Sequence, residues 1–318
     1  MNRIRTFTWF VLLFSATLVV ALSCPGVALA ADGHIQGTVS ADGGGTLDGI
    51  RVVPCTEDPP GSDWYQEDWG RAVTTSGGGT YDLTLPPGTY RLRFVDPAGV
   101  FGYQYWPNEI LPFAGPHQDI VVGDGEPVSW IDEYLPDAAM ITGRVRNFDG
   151  GLALQDIDVS ACTDIDERWV GVVGARTDAL GDYELKGLPP GDFRVRFEDE
   201  AGHVYATEFY QAVLPWRYDQ AGFFSLSPGE LQSSVDAYLA DASSITGTLT
   251  GAGAPMPNGA IDLLVHNGES WQGVQGEPAN SVTGAYAFEG LPPGTYRLQF
   301  RDNDGTYIAE CWNDKPSH

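Results

Sequence analysis

The stretch Leu85-Pro86-Pro87-Gly88-Thr89-Tyr90-Arg91-Leu92-Arg93-Phe94 returns twice along the chain. The second copy is Leu188-Pro189-Pro190-Gly191-Asp192-Phe193-Arg194-Val195-Arg196-Phe197, and the third is Leu291-Pro292-Pro293-Gly294-Thr295-Tyr296-Arg297-Leu298-Gln299-Phe300. The first prolines of successive copies are 103 residues apart in both intervals (189 − 86 and 292 − 189). A period this long indicates tandem whole domains, because solenoids and propellers repeat every ~20 to 50 residues.

Each copy reads as a tight turn followed by a β-strand. Two prolines fix φ, and the glycine after them is predicted to adopt a positive φ. Beyond the turn, aromatic and aliphatic residues alternate with polar or charged ones, which is typical of a strand with one buried face. We therefore expect Tyr90, Phe193 and Tyr296 to point into the cores of three successive domains.

The remaining pattern is also that of short strands and turns. The chain has 40 Gly and 22 Pro, and few stretches show helical periodicity. Each repeat opens on a strand with a glycine at its centre (Gly37, Gly143 and Gly247), and a later hairpin turn should place Gly79, Gly181 or Gly284 in the left-handed region. About seven short strands per repeat predict an all-β chain of two-sheet β-sandwiches.

The repeats divide the sequence into residues 31–137, 138–242 and 243–318. The junctions are short and lack a flexible tether, so we expect a semi-rigid rod that bends little at 138–139 and 242–243. From the first proline of the turn, the first repeat continues for 51 residues (137 − 86), the second for 52 (241 − 189) and the third for only 26 (318 − 292). The third sandwich should therefore lack its last strand, either because the chain is a fragment or because a partner completes it.

Residues 1–30 are predicted to be a signal peptide. Arg3 and Arg5 precede a mostly apolar segment at 7–22, and Ala28-Leu29-Ala30 is a small-residue cleavage site. A membrane anchor is the alternative, but the apolar run is short and no second one is long enough to cross a bilayer. Lipid attachment at Cys24 is a further alternative. The mature chain is expected to be secreted or displayed on a bacterial cell surface.

The chain is strongly acidic. It has 43 Asp and Glu residues against 17 Lys and Arg residues, a formal net charge of −26, and loss of Arg3 and Arg5 with the signal peptide would make this −28. Nucleic acid and anionic membrane surfaces would be repelled by this charge. We expect the partners to be an extracellular protein or a polysaccharide.

These repeats resemble carboxypeptidase regulatory-like domains and collagen-adhesin B-type repeats. The resemblance rests on the opening I-x-G-x-V strand, on T-D-x-x-G-x-Y from Thr177 to Tyr183, and on L-P-P-G-x-Y-x-V-x-F with an aromatic strand after it. It covers nearly all of the mature chain, but turn and core residues carry it, so it is specific for fold and not for function.

The resemblance implies tandem seven-stranded transthyretin-like (Ig-like) β-sandwiches in a rod, a shape grouped with the carbohydrate-binding-like fold. Modules of this kind commonly serve as spacers and stalks in secreted and surface proteins. Others stand beside the catalytic domains of glycoside hydrolases. A structural or adhesive spacer is therefore the expected function, and an accessory region of a secreted alpha-amylase-type hydrolase is the alternative.

We do not expect this chain to be an enzyme. Its mature histidines are scattered, without a G-x-S-x-G elbow. The short H-x-x-E match at His266-Asn267-Gly268-Glu269 lacks a third zinc ligand nearby, and a strand end before an Asn-Gly turn explains it. An isopeptide bond needs a lysine on an opening strand, and Lys186 and Lys315 do not lie on one. A catalytic domain, if the protein has one, would lie outside this chain.

No cofactor is expected, although calcium remains an alternative. The acidic groups Glu57-Asp58, Asp164-Asp166-Glu167 and Asp302-Asp304 lack the regular spacing of a calcium loop. Cys55 and Cys162 end equivalent strands, where His266 stands in the third repeat. Such positions in a rod are too far apart for a disulfide, so we interpret them as half-buried thiols.

Sugar binding is supported by aromatic residues in predicted loops. Trp64 and Tyr65 belong to an insertion found in the first repeat alone, and exposed indoles can stack on sugar rings. Trp69 and Trp106 are further candidates. For Trp69 the alternative is packing, because Trp169 and Trp271 stand in the same segment of the other repeats.

Overall fold

The computed structural model describes residues 30–57, 65–110, 118–165, 168–266, 270–312 and 315–316. It confirms the all-β prediction, with three tandem groups of sheets and a single short 3-10 segment at Pro215–Gln220 among these residues. The predicted signal peptide lies outside the described residues, apart from Ala30, and remains a prediction.

The first sandwich is built from two sheets. One sheet has the order β10-β1-β5 with β9 beside β1, and the other has the order β3-β2-β6-β7 with β4 beside β2 and β8 beside β6. Its ten strands are β1 (Gly33–Ala41), β2 (Arg51–Glu57), β3 (Tyr65–Glu67), β4 (Val73–Thr74), β5 (Thr80–Leu85), β6 (Gly88–Val95), β7 (Gln104–Tyr105), β8 (Ile120–Val122), β9 (Pro127–Val128) and β10 (Glu133–Leu135).

The second sandwich repeats this plan. Its sheets have the orders β14-β11-β18, with β19 beside β11, and β13-β12-β15-β16, with β17 beside β15. Its strands are β11 (Ala139–Asn147), β12 (Asp158–Ile165), β13 (Arg168–Arg176), β14 (Asp182–Leu188), β15 (Gly191–Glu198), β16 (Glu208–Phe209), β17 (Phe224–Leu226), β18 (Leu231–Gln232) and β19 (Ala237–Leu239). More than seven strands result because the last part of each repeat is broken into short pieces.

The third sandwich has a smaller first sheet. Among the described residues β20 pairs with β25 alone, β21 pairs with β22, and the second sheet has the order β24-β23-β26-β27-β28. These strands are β20 (Ser243–Thr248), β21 (Thr250–Gly251), β22 (Ala254–Pro255), β23 (Gly259–His266), β24 (Trp271–Pro278), β25 (Ala285–Leu291), β26 (Tyr296–Asp302), β27 (Glu310–Cys311) and β28 (Lys315–Pro316).

Each sandwich encloses its own apolar core, and the Pro-Pro-Gly strands supply its centre. Tyr90 and Phe193 are buried, and Tyr296 is partly buried against the third core, as the alternation predicted. Phe94 and Phe197, four residues further along their strands, are fully buried. The polar face is less exposed than expected, because Arg91 in the first sandwich is only 4% exposed.

In the first and third sandwiches the glycine of the Pro-Pro-Gly turn has a different role from the one expected. Gly88 and Gly294 do not adopt a positive φ, whereas Gly191, their counterpart in the second sandwich, does so at +155° and the hairpin glycine Gly181 at +77°. A Cβ on Gly88 would lie 3.2 Å from the ring of Tyr90, because that ring folds back so that its hydroxyl can donate to the carbonyl oxygen of Pro86 at 2.9 Å. The turn glycine therefore leaves room for an aromatic ring.

The opening strands β1 and β11 are each covered by a segment from the end of the same sandwich. We call residues 131–135 and 235–239 the closing segments. β10 runs parallel to β1 with Val39 opposite Glu133, and β19 runs parallel to β11 with Val145 opposite Ala237. This parallel pairing joins the two ends of each sandwich in one sheet.

Glu133 is an unusual member of the first closing segment, because its side chain is 1% exposed. Burial raises its pKa to about 7, and among the described residues its carboxylate accepts hydrogen bonds from the backbone N–H groups of Asn108 and Tyr134. The folded state thus holds this proton more tightly than the unfolded chain does. The stabilisation that protonated Glu133 contributes is complete below its unfolded pKa of about 4.5, and it is lost as the pH rises through about 7.

Replacing Glu133 by glutamine should remove this pH dependence. Relative to wild type, the Glu133→Gln variant should gain as much as about 3 kcal/mol in the free energy of unfolding of the first sandwich between pH 4 and pH 8. Urea unfolding followed by hydrogen exchange and mass spectrometry at several pH values resolves this sandwich. Glu126→Gln, at an exposed site nearby, is the matched control. Parallel pH profiles for wild type and Glu133→Gln would contradict the prediction.

Candidate functional site

The structure does not gather the predicted sugar-binding residues into one described site. Trp64 lies outside the described residues, and Tyr65 begins the short strand β3 opposite Glu57. Trp69 is 41% exposed, and the guanidinium of Arg51 lies 4.8 Å from the centre of its ring. Sugar contact by these residues therefore stays a prediction.

Trp106 has the contacts of a packing residue. Its side chain is partly buried against the first core, and its indole N–H donates to the backbone oxygen of Asp132 at 3.1 Å. In the third sandwich, the guanidinium of Arg297 lies 4.2 Å from the ring centre of Trp271. Arg51 and Trp69 form the same kind of pair in the first sandwich. A stacked arginine is thus shared by Trp69 and Trp271, the two recurrent tryptophans whose side chains the structure describes.

A polar cluster lies where the first two sandwiches meet, and we call this contact the first joint. Arg93 donates to Glu67 at 2.6 Å, and the hydroxyl of Tyr105 donates to the same carboxylate oxygen at 2.7 Å. The guanidinium also lies 4.5 Å from the ring centre of Tyr103. Charge, hydrogen bonding and aromatic stacking therefore hold Arg93 in one place.

The first joint reaches directly into the second sandwich. Arg93 donates a second hydrogen bond, at 3.4 Å, to the backbone oxygen of Val172 in β13. Val172 and Val173 pack against a buried cluster formed by Cys55, Tyr103 and Tyr105. Apolar burial and a charged hydrogen-bond donor thus act together across this contact.

Backbone contacts close the first joint on its other side. The N–H of Tyr103 donates to the oxygen of Gly187 at 3.0 Å. A Cβ on Gly102 would lie 2.8 Å from the Cα of Pro189, so the two chains are too close here for a side chain. The Pro-Pro-Gly turn of the second sandwich is therefore packed against the first sandwich.

The contact between the second and third sandwiches, the second joint, contains a cleft. The cleft has a volume of about 520 Å³, against about 240 Å³ for the crevice at the first joint. It is crossed by an edge-to-face contact of Trp216 with Tyr296 at 5.8 Å and by His203 and Glu289, whose nearest N and O atoms are 3.9 Å apart. Its lining mixes apolar residues with the polar residues Arg196, Glu198, Thr207, Gln272 and Gln275.

Sequence differences explain why the second joint is more open. Thr207 and Phe209 stand where Tyr103 and Tyr105 stand in the first sandwich, because β16 pairs with β15 as β7 pairs with β6. Gly171 faces Cys162 where Glu67 faces Cys55, so the second joint lacks the central carboxylate. Arg196, the counterpart of Arg93, pairs instead with Glu198 on its own strand at 2.7 Å.

The cysteines are more deeply buried than the sequence suggested. Cys55, Cys162 and Cys311 are free and buried. Burial is the main cause that raises the pKa of the Cys55 thiol to about 12 and that of Cys162 to about 11. Both thiols therefore stay protonated and unreactive near neutral pH.

An aspartate that recurs every 103 residues organises a loop in each sandwich. The carboxylates of Asp96, Asp199 and Asp302 each accept three backbone N–H groups from the residues that follow them. These bonds, first the one from Asp304, hold the pKa of Asp302 below its usual value. Backbone hydrogen bonds within its own loop thus explain the position of the Asp302 carboxylate.

The structure describes only some residues of the other acidic groups that were considered for calcium binding. Asp58, Asp166 and Glu167 lie outside the described residues, as does Glu269 of the H-x-x-E match. Within the described part of the chain, no three His, Cys, Asp or Glu side chains are grouped as metal ligands. No helix there is long and apolar enough to cross a membrane.

No family model and no curated protein sequence matches the chain. Among solved structures, the Bacillus anthracis TIE protein is similar with 17% identity and a TM-score of 0.26, over 90% of this chain and 49% of that one. A streptococcal ancillary pilin is similar with 14% identity and a TM-score of 0.26, over 68% of this chain and 63% of that one. The shaft pilin SpaA from Lactobacillus rhamnosus GG is similar with 11% identity and a TM-score of 0.26, over 67% of this chain and 97% of that one.

The chain thus spans about half of the first of these proteins and less than two thirds of the second. Likenesses with TM-scores this low are too weak to carry a fold or a function over to this chain.

Proposed function

We propose that this chain is a secreted or cell-surface, non-catalytic spacer made of three β-sandwich units, at residues 31–137, 138–242 and 243–318. The first joint is the observation that carries the proposal. A buried arginine network, an apolar cluster and close backbone contacts join two whole sandwiches there. Such contacts cost conformational freedom, and they are useful where two domains must keep a fixed relative orientation.

The surrounding chemistry supports a spacer. The strongly acidic composition keeps the chain soluble and apart from nucleic acid and anionic lipid. The described histidines contact unrelated groups: His34 meets Asp82, His203 meets Glu289, and His266 meets the ring of Trp271. No shared catalytic centre arises from these three contacts.

The spacer proposal predicts a stiff first joint and a more mobile second joint. Spin labels can be placed at the exposed residues Val121, Leu180 and Val282, one in each unit, after replacement by cysteine. The three described thiols, Cys55, Cys162 and Cys311, are buried and should not react, and Cys24 belongs to the predicted signal peptide. Pulsed dipolar spectroscopy of the full chain should give a narrower distance distribution for 121–180 than for 180–282. Equally broad distributions would contradict a fixed first joint.

Carbohydrate binding by the first unit is the second candidate function, favoured by the exposed Trp69, which stands five residues after Trp64 in the sequence. A glycan array and a starch pull-down with the full chain separate it from the spacer role. Binding lost in Trp64→Ala or Trp69→Ala, but kept in Trp312→Ala at another exposed indole, would support an accessory region. Absence of binding to any polysaccharide would eliminate it.

A further inference from the structure

The opening strand of the third sandwich lacks the cover that its two counterparts have. Among the described residues, β20 pairs with β25 alone, whereas β1 and β11 each pair with a closing segment as well. Ile35 and Ile141 are fully buried, but their counterpart Ile245 is partly exposed. The edge and the apolar face of β20 are therefore both open.

The first two sandwiches show how such an edge is covered, because both use the same three hydrogen bonds. The first residue of the closing segment donates its N–H to the opening strand and accepts a tyrosine hydroxyl on its carbonyl oxygen. The aspartate after it accepts an N–H of the opening strand. In the first sandwich these bonds are Ile131 N to Gln36 O at 3.1 Å, Tyr81 Oη to Ile131 O at 2.7 Å, and Thr38 N to Asp132 Oδ1 at 2.7 Å.

The second sandwich repeats all three. They are Val235 N to Thr142 O at 3.0 Å, Tyr183 Oη to Val235 O at 2.7 Å, and Arg144 N to Asp236 Oδ1 at 2.9 Å. In the third sandwich, Thr246, Tyr286 and Thr248 stand at the equivalent positions. The groups that would bind a closing segment are thus present, without such a segment among the described residues.

A cavity lies where the apolar side chains of a closing segment would pack. In the second sandwich, Val145, Leu154 and Phe197 belong to one buried cluster with Leu239 of the closing segment. Their counterparts Leu249, Met256 and Phe300 line an open cavity of about 370 Å³ in the third sandwich. This cavity can accept a leucine-sized side chain.

We propose that the third sandwich binds an extended polypeptide strand, parallel to β20, with the pattern apolar–Asp–x–Tyr–Leu. The closing segments Ile-Asp-Glu-Tyr-Leu and Val-Asp-Ala-Tyr-Leu have this pattern. The aspartate of the bound strand accepts the N–H of Thr248, its first residue pairs with Thr246 and Tyr286, and its leucine fills the cavity. Main-chain bonds supply affinity and the pockets supply sequence selectivity, as in other cases of strand addition.

A second copy of this chain is not a suitable donor. Leu135 and Leu239 are fully buried in their own sandwiches, so donating a closing segment would unfold its owner. The occupant is therefore a strand that is free of such a sandwich. This binding is independent of the spacer role proposed above.

A synthetic peptide with the sequence of residues 231–241 is the direct probe. Fluorescence anisotropy with the labelled peptide and the full chain should show saturable binding. Hydrogen exchange with mass spectrometry should show new protection at residues 245–249. A scrambled peptide, and peptides with Asp236→Ala or Leu239→Ala, should bind about tenfold or more weakly, because each loses one of the recognised groups.

Variants of the full chain locate the site. The three atoms nearest to a Cβ on Gly247 all belong to the Tyr286 side chain in the free protein, with its hydroxyl at 2.4 Å, and the Cβ would also occupy the place of the incoming carbonyl. Gly247→Ala should therefore weaken peptide binding about tenfold or more while β23 and β26 keep their protection. Gly273→Ala, where a Cβ has no neighbour within 4 Å, should bind like wild type.

Three results of the peptide experiments would overturn the proposal. These are a lack of saturable binding, equal affinity for wild type and Gly247→Ala, and peptide-induced protection confined to other strands. Sedimentation of the full chain as a dimer whose β20 is protected without peptide would also overturn it, since the edge would then pair with a second copy.

Discussion

Replacing Gly143 by alanine is expected to detach the closing segment of the second sandwich and to lower its free energy of unfolding by about 3–5 kcal/mol. A Cβ at this position would lie 2.1 Å from the carbonyl oxygen of Val235, which is backbone and cannot rotate away. That carbonyl also accepts the hydroxyl of Tyr183 at 2.7 Å. The clash therefore disturbs the buried residues Val235 and Leu239 and a buried hydrogen bond together.

Two glycines of the same chain are suitable controls. Gly171→Ala in β13 should change stability little, because its Cβ would lie 3.7 Å from the nearest atom. Gly247→Ala should cost less than Gly143→Ala, because a tyrosine side chain can move where a strand cannot. Hydrogen exchange in increasing urea, read on peptides from β11 and β19, measures the second sandwich separately. Equal losses for Gly143→Ala and Gly171→Ala would show that the closing segment is not tightly held.

Replacing Arg93 by methionine should destabilise the first sandwich by about 3–5 kcal/mol and loosen the first joint. Methionine keeps much of the apolar stem but removes the charge that partners Glu67, at a site where the arginine side chain is only 16% exposed. The Glu67 carboxylate would be left partly buried with the Tyr105 hydroxyl as its described partner, and the hydrogen bond from residue 93 to Val172 would be lost.

Arg196→Met is the matched control, because it stands at the same position of the second sandwich. Its side chain is 38% exposed and pairs with Glu198 on the same strand, an arrangement worth about 0–1 kcal/mol. Urea unfolding gives the stabilities, and the spin-label distance 121–180 should broaden in Arg93→Met alone. If the two variants behave alike, Arg93 does not hold the joint.

The features that local sequence signals carry were predictable. The 103-residue period, the all-β class and the inward direction of Tyr90 and Phe193 follow from turn residues and alternation, which depend on neighbours in the chain. Gly181 was predictable for the same reason. The roles of Gly88 and Gly294 were not, because the need for glycine there arises from a tyrosine ring that folds back over it.

Features that join residues distant in the chain could not be predicted from the sequence. The parallel register of Val39 with Glu133 leaves no periodic pattern in either segment. Arg93 and Arg196 look alike as outward strand positions, and only the fold surrounds one of them with Glu67 and Tyr105. A usable signal was the change from Tyr103-Gln104-Tyr105 to Thr207-Glu208-Phe209, since an array of identical joints would keep its aromatic residues.

The parallel pairing of opening strand and closing segment also determines how a sandwich resists a pulling force applied to its two ends. A pull between neighbours draws β1 toward its N-terminal end and β10 toward its C-terminal end, which in a parallel pair are opposite directions along one ladder. The hydrogen bonds between them are then loaded in shear, all together, and not opened one by one as in a zipper. The same holds for β11 and β19, and a strand bound beside β20 would extend this clasp to the third sandwich.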